Sequence, residues 1–272
     1  MAQLIGGFCA SHAPGQVVRL AVGGAAGARF IAALHLAAER LRALKPDILI
    51  VCSGEHFTNF PPNGLPQIAI GVGDAHIGPI EPWMGMDRRN IPGAGALARH
   101  IASDLLGAGF DPTTSTDLLL DHGVTTCYSA IDPAMAMPII PILQNTLVSP
   151  MMPLARCYAL GAAIRDAIAS FPGNGRVAIL GTGGLSHWIG TSRDGDIDQE
   201  FDRWVLARFV EKDIESILAV PDSELDHAGT GAHEVRSWLV AAGALRDVPP
   251  EILGYEPIPA WIAGMGVLDL MP

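Results

Sequence analysis

"RVAILGTGGLSHWIG", Arg176–Gly190, is the stretch on which the fold turns. An apolar run of strand length breaks into a glycine-rich turn and runs straight into His187. Glycine turns that follow strands often cradle phosphate, so two readings compete: a nucleotide loop, or a turn that presents a histidine. A Walker loop needs G-x-x-x-x-G-K-[ST], and no lysine lies near Gly181–Gly184. A dinucleotide fingerprint needs a third glycine where "GTGGLS" has Ser186, and no acidic ribose partner follows at the usual distance. Glycines that let the backbone turn sharply beside a ligand account for the stretch better.

Outward from this stretch, short β-branched runs alternate with helical ones, which predicts an α/β architecture. "QLIGGFCA", "DILIVCS", "QIAIGVG", "MPIIPILQN" and "RVAIL" read as strands, the continuous apolar ones as strands covered on both faces. "ARFIAALHLAAERLRALK", "GAGALARHIASDLLGAG" (closed by Gly107 or Gly109), "PLARCYALGAAIRDAIASF" and "AHEVRSWLVAAGAL" carry apolar residues at helical spacing. "DQEFDRWVLARFVEKDIESIL" reads as one or two charged, surface-facing helices, and "MGVLDL" as a short final strand. Repeats, low-complexity segments and linkers are absent, so residues 1–272 are expected to form one domain.

The bulk properties exclude several classes of function. The chain has 272 residues, 49% hydrophobic and 17% charged, enough for a sizeable core. A net charge of −11 argues against a nucleic-acid partner, because phosphate neutralisation needs clustered Lys and Arg. No apolar run suggests a membrane span, and "MAQLIGGFCASHAPG" lacks the basic and apolar regions of a signal peptide; a cytoplasmic protein is expected. The four cysteines show neither C-x-x-C nor zinc-finger spacing, and Cys9 and Cys52 read as buried thiols.

Three strands end alike. "FCASHAPG" places His12 after the first, "LIVCSGEHFTNF" places His56 after the next, and "ILGTGGLSH" places His187 after the later one. Sites in open α/β sheets collect beyond the carboxyl ends of strands, so three of nine histidines in such positions predict a shared pocket. "LLLDHGVTTCYSA" adds Asp121 and His122 where a short helix follows an apolar run. "TGAHEVRSWL" adds His233 and Glu234 at a helix start, where an acidic residue also suits the helix dipole, so a structural role for Glu234 stays open. His35 and His100 fall inside helices, and His76 and His227 in polar loops. Two histidines and a carboxylate would make the open facial triad of non-haem Fe(II) oxygenases, although spacing alone does not fix the set.

In order along the chain, "SHAPG", "GEHFTNF", "GVGDAHIG", "DHGVTTCYSAI", "GTGGLSH", "AHEVRSWLVAAGAL" and "PIPAWIAGMG" resemble the class III (LigB-type) extradiol ring-cleavage dioxygenases. The last two segments are most similar to the branch acting on 2,3-dihydroxyphenylpropionate. The resemblance implies an α/β sandwich with a central mixed sheet and a metal site at the C-terminal ends of strands. It implies Fe(II) held by His12, His56 and Glu234, with His122 and His187 as acid/base residues. The implied substrates are a small aromatic diol and O2, with the ring broken beside the diol to a muconic semialdehyde-type product. His187 would take a proton from one hydroxyl as general base, and His122 would help deliver one during ring opening.

Two departures bear on the substrate. The segment between His187 and His233–Glu234 is shorter than in the dihydroxyphenylpropionate enzymes, and there is no added helical domain of the kind that covers the site in protocatechuate 4,5-dioxygenases. A dihydroxyphenylpropionate-like ring is favoured, with protocatechuate, gallate and 2-aminophenol as alternatives. A zinc-dependent hydrolase on the same triad, or a non-catalytic partner subunit, are the alternatives from other classes. Trp188, Thr125 and Tyr128 either line the pocket or belong to the core, and any substrate carboxylate would call for an arginine. Family members usually assemble, so a homo-oligomer is expected.

Overall fold

The computed structural model describes residues 1–272. Its strands are β1 (Ala2–Ala10), β2 (Ile48–Gly54), β3 (Ile68–Gly71), β4 (Ala75–Gly78), β5 (Arg89–Pro92), β6 (Thr113–Ser115), β7 (Ile139–Gln144), β8 (Gly175–Thr182), β9 (Glu251–Ile258) and β10 (Ala263–Leu270). Its helices are α1 (Gly15–Val18), α2 (Gly24–Ala43), α3 (Gly95–Gly107), α4 (His122–Ile131), α5 (Leu154–Ser170), α6 (Gln199–Val210), α7 (Ile214–Leu218), α8 (Asp222–Ala228) and α9 (Val235–Ala244). Eight strands form one mixed sheet in the order β6-β3-β7-β2-β8-β1-β10-β9, while β4 and β5 pair separately. The inner four, β7, β2, β8 and β1, run parallel, and β3, β10 and β9 add antiparallel pairings. This is the mixed-sheet α/β sandwich expected from the sequence.

The pleat divides the apolar strand residues between two layers. Ile50, Cys52, Ile140, Ile142, Val177 and Ile179 face a core shared with α3, α5 and α9. Leu49, Val51, Ile139, Leu143, Ala178 and Leu180 face the opposite core, filled by Phe30, Leu34 and Leu41 of α2 and by Val124 and Tyr128 of α4. Both faces are covered, which is why these strands read as unbroken apolar runs. The segment Leu20–Ala43 is long and apolar enough to cross a membrane by length and composition. Here it packs one face on the sheet and carries Arg29, Glu39, Arg40 and Arg42 on the rest.

The register of the parallel strands positions the site. Cys9 of β1 and Cys52 of β2 both lie opposite Gly181 of β8, so three chains leave the sheet at one level, on one end. All four cysteines are buried free thiols. Several elements differ from the sequence reading. β9, which the sequence reading did not assign, carries Gly254 and Pro257 and forms the outermost strand, where proline is tolerated. His76 lies on β4, buried, and His227 lies in α8; neither is in a loop. Thr125, Tyr128 and Trp188 are buried core residues and do not line the pocket. "DQEFDRWVLARFVEKDIESIL" does form two helices, but Asp202 within it is completely buried.

Candidate metal centre

His12, His56, His122, His187 and Glu234 line one cavity of about 680 Å³ beyond the ends of β1, β2 and β8. The sequence-predicted residues therefore do converge. His12 and His56 leave the first two parallel strands directly. His122 is the first residue of α4, whose N-cap Asp121 accepts a hydrogen bond from Gly123 N–H at 2.9 Å. Glu234 ends the 3-10 turn Thr230–Glu234 that leads into α9.

The glycine turn has a use the sequence did not show. Gly183 and Gly184 adopt φ of +107° and +58°, and Gly184 N–H donates to Glu234 Oε2 at 2.7 Å. A Cβ on Gly183 would stand 2.7 Å from the same oxygen. The turn thus seats a carboxylate, as a phosphate loop seats phosphate, but the carboxylate belongs to its own chain.

Each imidazole is held by one nitrogen, which fixes its tautomer through the hydrogen-bond network. The Thr182 hydroxyl donates to Gly123 O at 2.7 Å, so its oxygen is free to accept from His12 Nδ1–H at 3.3 Å. His56 Nδ1–H donates to Asp121 Oδ2 at 3.0 Å, and His122 Nδ1–H to Glu81 Oε1 at 2.7 Å. His187 Nδ1–H donates to Leu185 O at 3.0 Å. The Nε2 atoms of His12, His122 and His187 are thereby left as lone-pair donors, and that of His56 becomes one when its proton gives way to a cation.

His56 Nε2 lies 2.8 Å and His12 Nε2 3.6 Å from Glu234 Oε1. Ligating atoms of His12, His56 and His122 all lie within 4.8 Å of one another. Lone pairs of two imidazoles facing a carboxylate oxygen require a cation or a proton among them. Burial pulls the His12 pKa down to about 3 despite the neighbouring Glu234 carboxylate. Burial opposes ionisation of Glu234 too, but the adjacent His12 and His56 outweigh it and hold its pKa well below the carboxylate range. Burial opposes the charged form of His56, but the Asp121 and Glu234 carboxylates outweigh it and hold its pKa well above 6.5, so a proton sits where a cation would. With that proton displaced, imidazole nitrogens and an ionised carboxylate are a donor set that suits Fe(II), so these residues fit such an ion. Burial also lowers the His187 pKa below 6.5, leaving a neutral ring on the cavity wall.

Three groups that support the site carried no local sequence signal. Glu81, 41 residues before His122, accepts from both its ring and its backbone N–H. Asp202 holds the loop of His187: Ser186 N–H donates to it at 2.7 Å, Ser186 Oγ at 2.9 Å and Tyr255 OH at 2.7 Å. Burial raises the Asp202 pKa from 3.8 to about 6, against those hydrogen bonds. Gly231 lies against the imidazole of His187.

Comparison with known proteins identifies the family. The family model "Catalytic LigB subunit of aromatic ring-opening dioxygenase" matches residues 6–266. The chain is 26% identical to the 2,3-dihydroxyphenylpropionate/2,3-dihydroxicinnamic acid 1,2-dioxygenase of Cupriavidus necator, over 87% of this chain and 88% of that one. It is 28% identical to the protein of that name from Paraburkholderia phymatum, over 86% and 87%. It is 36% identical to the gallate dioxygenase of Pseudomonas putida over 59% of this chain and 49% of that one. In structure it is similar to the uncharacterized protein JW3007 of Escherichia coli K12, with a TM-score of 0.58 and 15% identity over 97% and 99% of the chains. The chain belongs to the LigB family of aromatic ring-opening dioxygenases, a metal-dependent class, and is an aromatic ring-cleaving dioxygenase.

Proposed function

We propose that this chain is a non-haem Fe(II) extradiol dioxygenase in which His12, His56 and Glu234 hold the metal and His122 and His187 move protons. The observation that carries this reading is the convergence of His12 Nε2 and His56 Nε2 on Glu234 Oε1, with every Nδ1 already committed inside the chain. Glu234 is preferred over His122 as third ligand because its charge offsets that of the cation in a buried site. Bound there, Fe(II) supplies open coordination positions for an ortho-diol and redox activity toward O2.

The chain's own residues do the rest. His187 accepts a proton from one hydroxyl at Nε2, while Leu185 O stabilises the imidazolium through Nδ1–H. His122 stacks on His56 with ring centroids 4.7 Å apart, and Glu81 fixes the orientation of its ring through Nδ1–H, leaving Nε2 to deliver a proton during ring opening. Phe57, Leu147, Ile189 and Trp261 make the remaining wall apolar and limit water. The product retains both oxygen atoms as a muconic semialdehyde-type chain. The relatives named for 2,3-dihydroxyphenylpropionate and gallate support a ring with adjacent hydroxyls. A cytoplasmic homo-oligomer completes this reading.

The test is O2 uptake with parallel absorbance scans, using Fe(II)-loaded protein and 2,3-dihydroxyphenylpropionate, catechol, protocatechuate, gallate and 2-aminophenol. Stoichiometric O2 consumption with a new yellow chromophore is expected for at least one of them. Turnover that persists without O2 would overturn the reading in favour of a hydrolase.

A further inference from the structure

The wall of the cavity away from the histidines bears on what the aromatic ring carries besides its hydroxyls. Phe57, Leu147, Met151, Ile189, Trp261 and Ile262 make it largely apolar. The one charged side chain there outside the residues proposed to hold the metal is Asp226, on α8, with its carboxylate 69% exposed at the mouth. Its Oδ1 accepts from His233 Nε2–H at 2.7 Å. His233 Nδ1 in turn accepts from Arg236 Nη1 at 2.8 Å, which keeps the histidine proton on Nε2.

The guanidinium nearest this wall is that of Arg236, which lies behind His233, does not line the cavity and is fully buried. Its Nε donates to Met152 O at 2.9 Å and its Nη2 to Asp222 Oδ1 at 2.5 Å. It therefore braces His233 from behind and offers no donor to a ligand. The groups that face a ring substituent are aliphatic and aromatic side chains, the neutral polar Thr146, Ser149, Thr230 and His233, and, at the rim, a carboxylate; none is a cation. A substituent carboxylate would lose its water against the apolar wall without gaining an ion pair and would approach Asp226 as a like charge. The whole chain adds to this, with 28 acidic against 17 basic residues.

We infer that this site selects an ortho-diol whose ring substituent is uncharged or cationic, and that Asp226 is a specificity-determining residue which turns carboxylated rings away. The inference rests on the ring-cleavage reading and departs from the dihydroxyphenylpropionate-like substrate that the sequence favoured. The difference is physical: Asp226 lies outside every motif that carries the resemblance, and its place at the cavity comes from the packing of α8.

The experiment uses three catechols of one shape, substituted at position 3 with propyl, 3-aminopropyl or the propionate chain, on the Fe(II)-loaded full chain. The kcat/KM for propyl should exceed that for propionate at least about tenfold, with aminopropyl equal to or above propyl. Anaerobic dissociation constants from calorimetry should follow the same order. Asp226→Asn should shrink the aminopropyl-to-propionate ratio about fivefold, and about 0.5 M salt should shrink it in the unaltered protein. Propionate turning over as well as propyl, or a ratio that Asp226→Asn leaves unchanged, would overturn the inference while leaving ring cleavage intact. Failure of metal-loaded protein to open any of the three would remove the ring-cleavage reading, and this inference with it.

Discussion

Replacing Gly231 by alanine tests the role of His187 without touching that residue. A Cβ at position 231 would stand 1.8 Å from His187 Cε1, 1.9 Å from Nε2 and 2.2 Å from Nδ1. Ordinary contacts of this kind lie near 3.5 Å, so the imidazole must retreat by about 1.5 Å. Its hold on Leu185 O is a single hydrogen bond, which such a shift breaks. Misplacing a reacting group by about 1 Å costs on the order of 100-fold in rate, and kcat of Gly231→Ala should fall at least that far. Metal content should be unchanged, because the displaced ring is not a proposed ligand. In a His187→Ala background the same substitution should cost almost nothing, since the ring it displaces is gone. The assay is O2 uptake on metal-quantified protein for both single variants and the double variant. A kcat within about threefold of the parent, or an equal loss in the His187→Ala background, would refute the reasoning.

His187→Ala should retain iron and lose about 100-fold or more in turnover, whereas Glu234→Ala should lose the iron itself; metal analysis showing the opposite pattern would exchange their roles. Glu81→Gln leaves His122 Nδ1–H with a neutral acceptor, so kcat should drop about tenfold at constant metal content, read from steady-state rates beside metal analysis. Asp202 gives a stability prediction with a defined sign. Its folded pKa of about 6 exceeds the 3.8 of the free group, so the folded chain holds the proton more tightly. That contribution is complete below pH 3.8 and is lost as pH rises through 6, about 3 kcal/mol in all. Asp202→Asn should remove this slope, and urea unfolding from pH 4 to pH 7 that shows the same slope in both proteins would exclude it.

The sequence exposed the parts of the site that hang directly on buried strands. β1, β2 and β8 are covered on both faces, so their apolar runs are unbroken and the histidines after them stand out against the run. What stayed hidden depends on contacts between distant segments. Glu81 reaches His122 only because the loop after β4 folds over the start of α4. Asp202 sits among charged residues in a helix that looks solvent-facing, and its burial follows from how α6 lies against the loop of His187 and against β9. β9 itself is made by its pairing with β10, not by its own composition. Gly231 showed only as one glycine in "TGAHE", and its need for hydrogen in place of a side chain arises from a ring 44 residues earlier.

The glycine turn at Gly183–Gly184 links the fold to the chemistry through what it does to Glu234. A backbone N–H engages Oε2 at 2.7 Å, and the missing Cβ of Gly183 is what lets the carboxylate come so close. With Oε2 held by the backbone, Oε1 alone points at His12 and His56. On the proposed reading a carboxylate fixed in this way binds through one oxygen, not two. Two imidazoles and one carboxylate oxygen would hold the metal and leave it open to a diol and O2. The same turn then carries the chain through Leu185 and Ser186 to His187, on the cavity wall where those hydroxyls would lie. A phosphate-binding loop would spend its backbone N–H groups on a ligand. Here the turn spends one on its own glutamate, so that one strand end positions both Glu234, the proposed metal ligand, and His187, the proposed base.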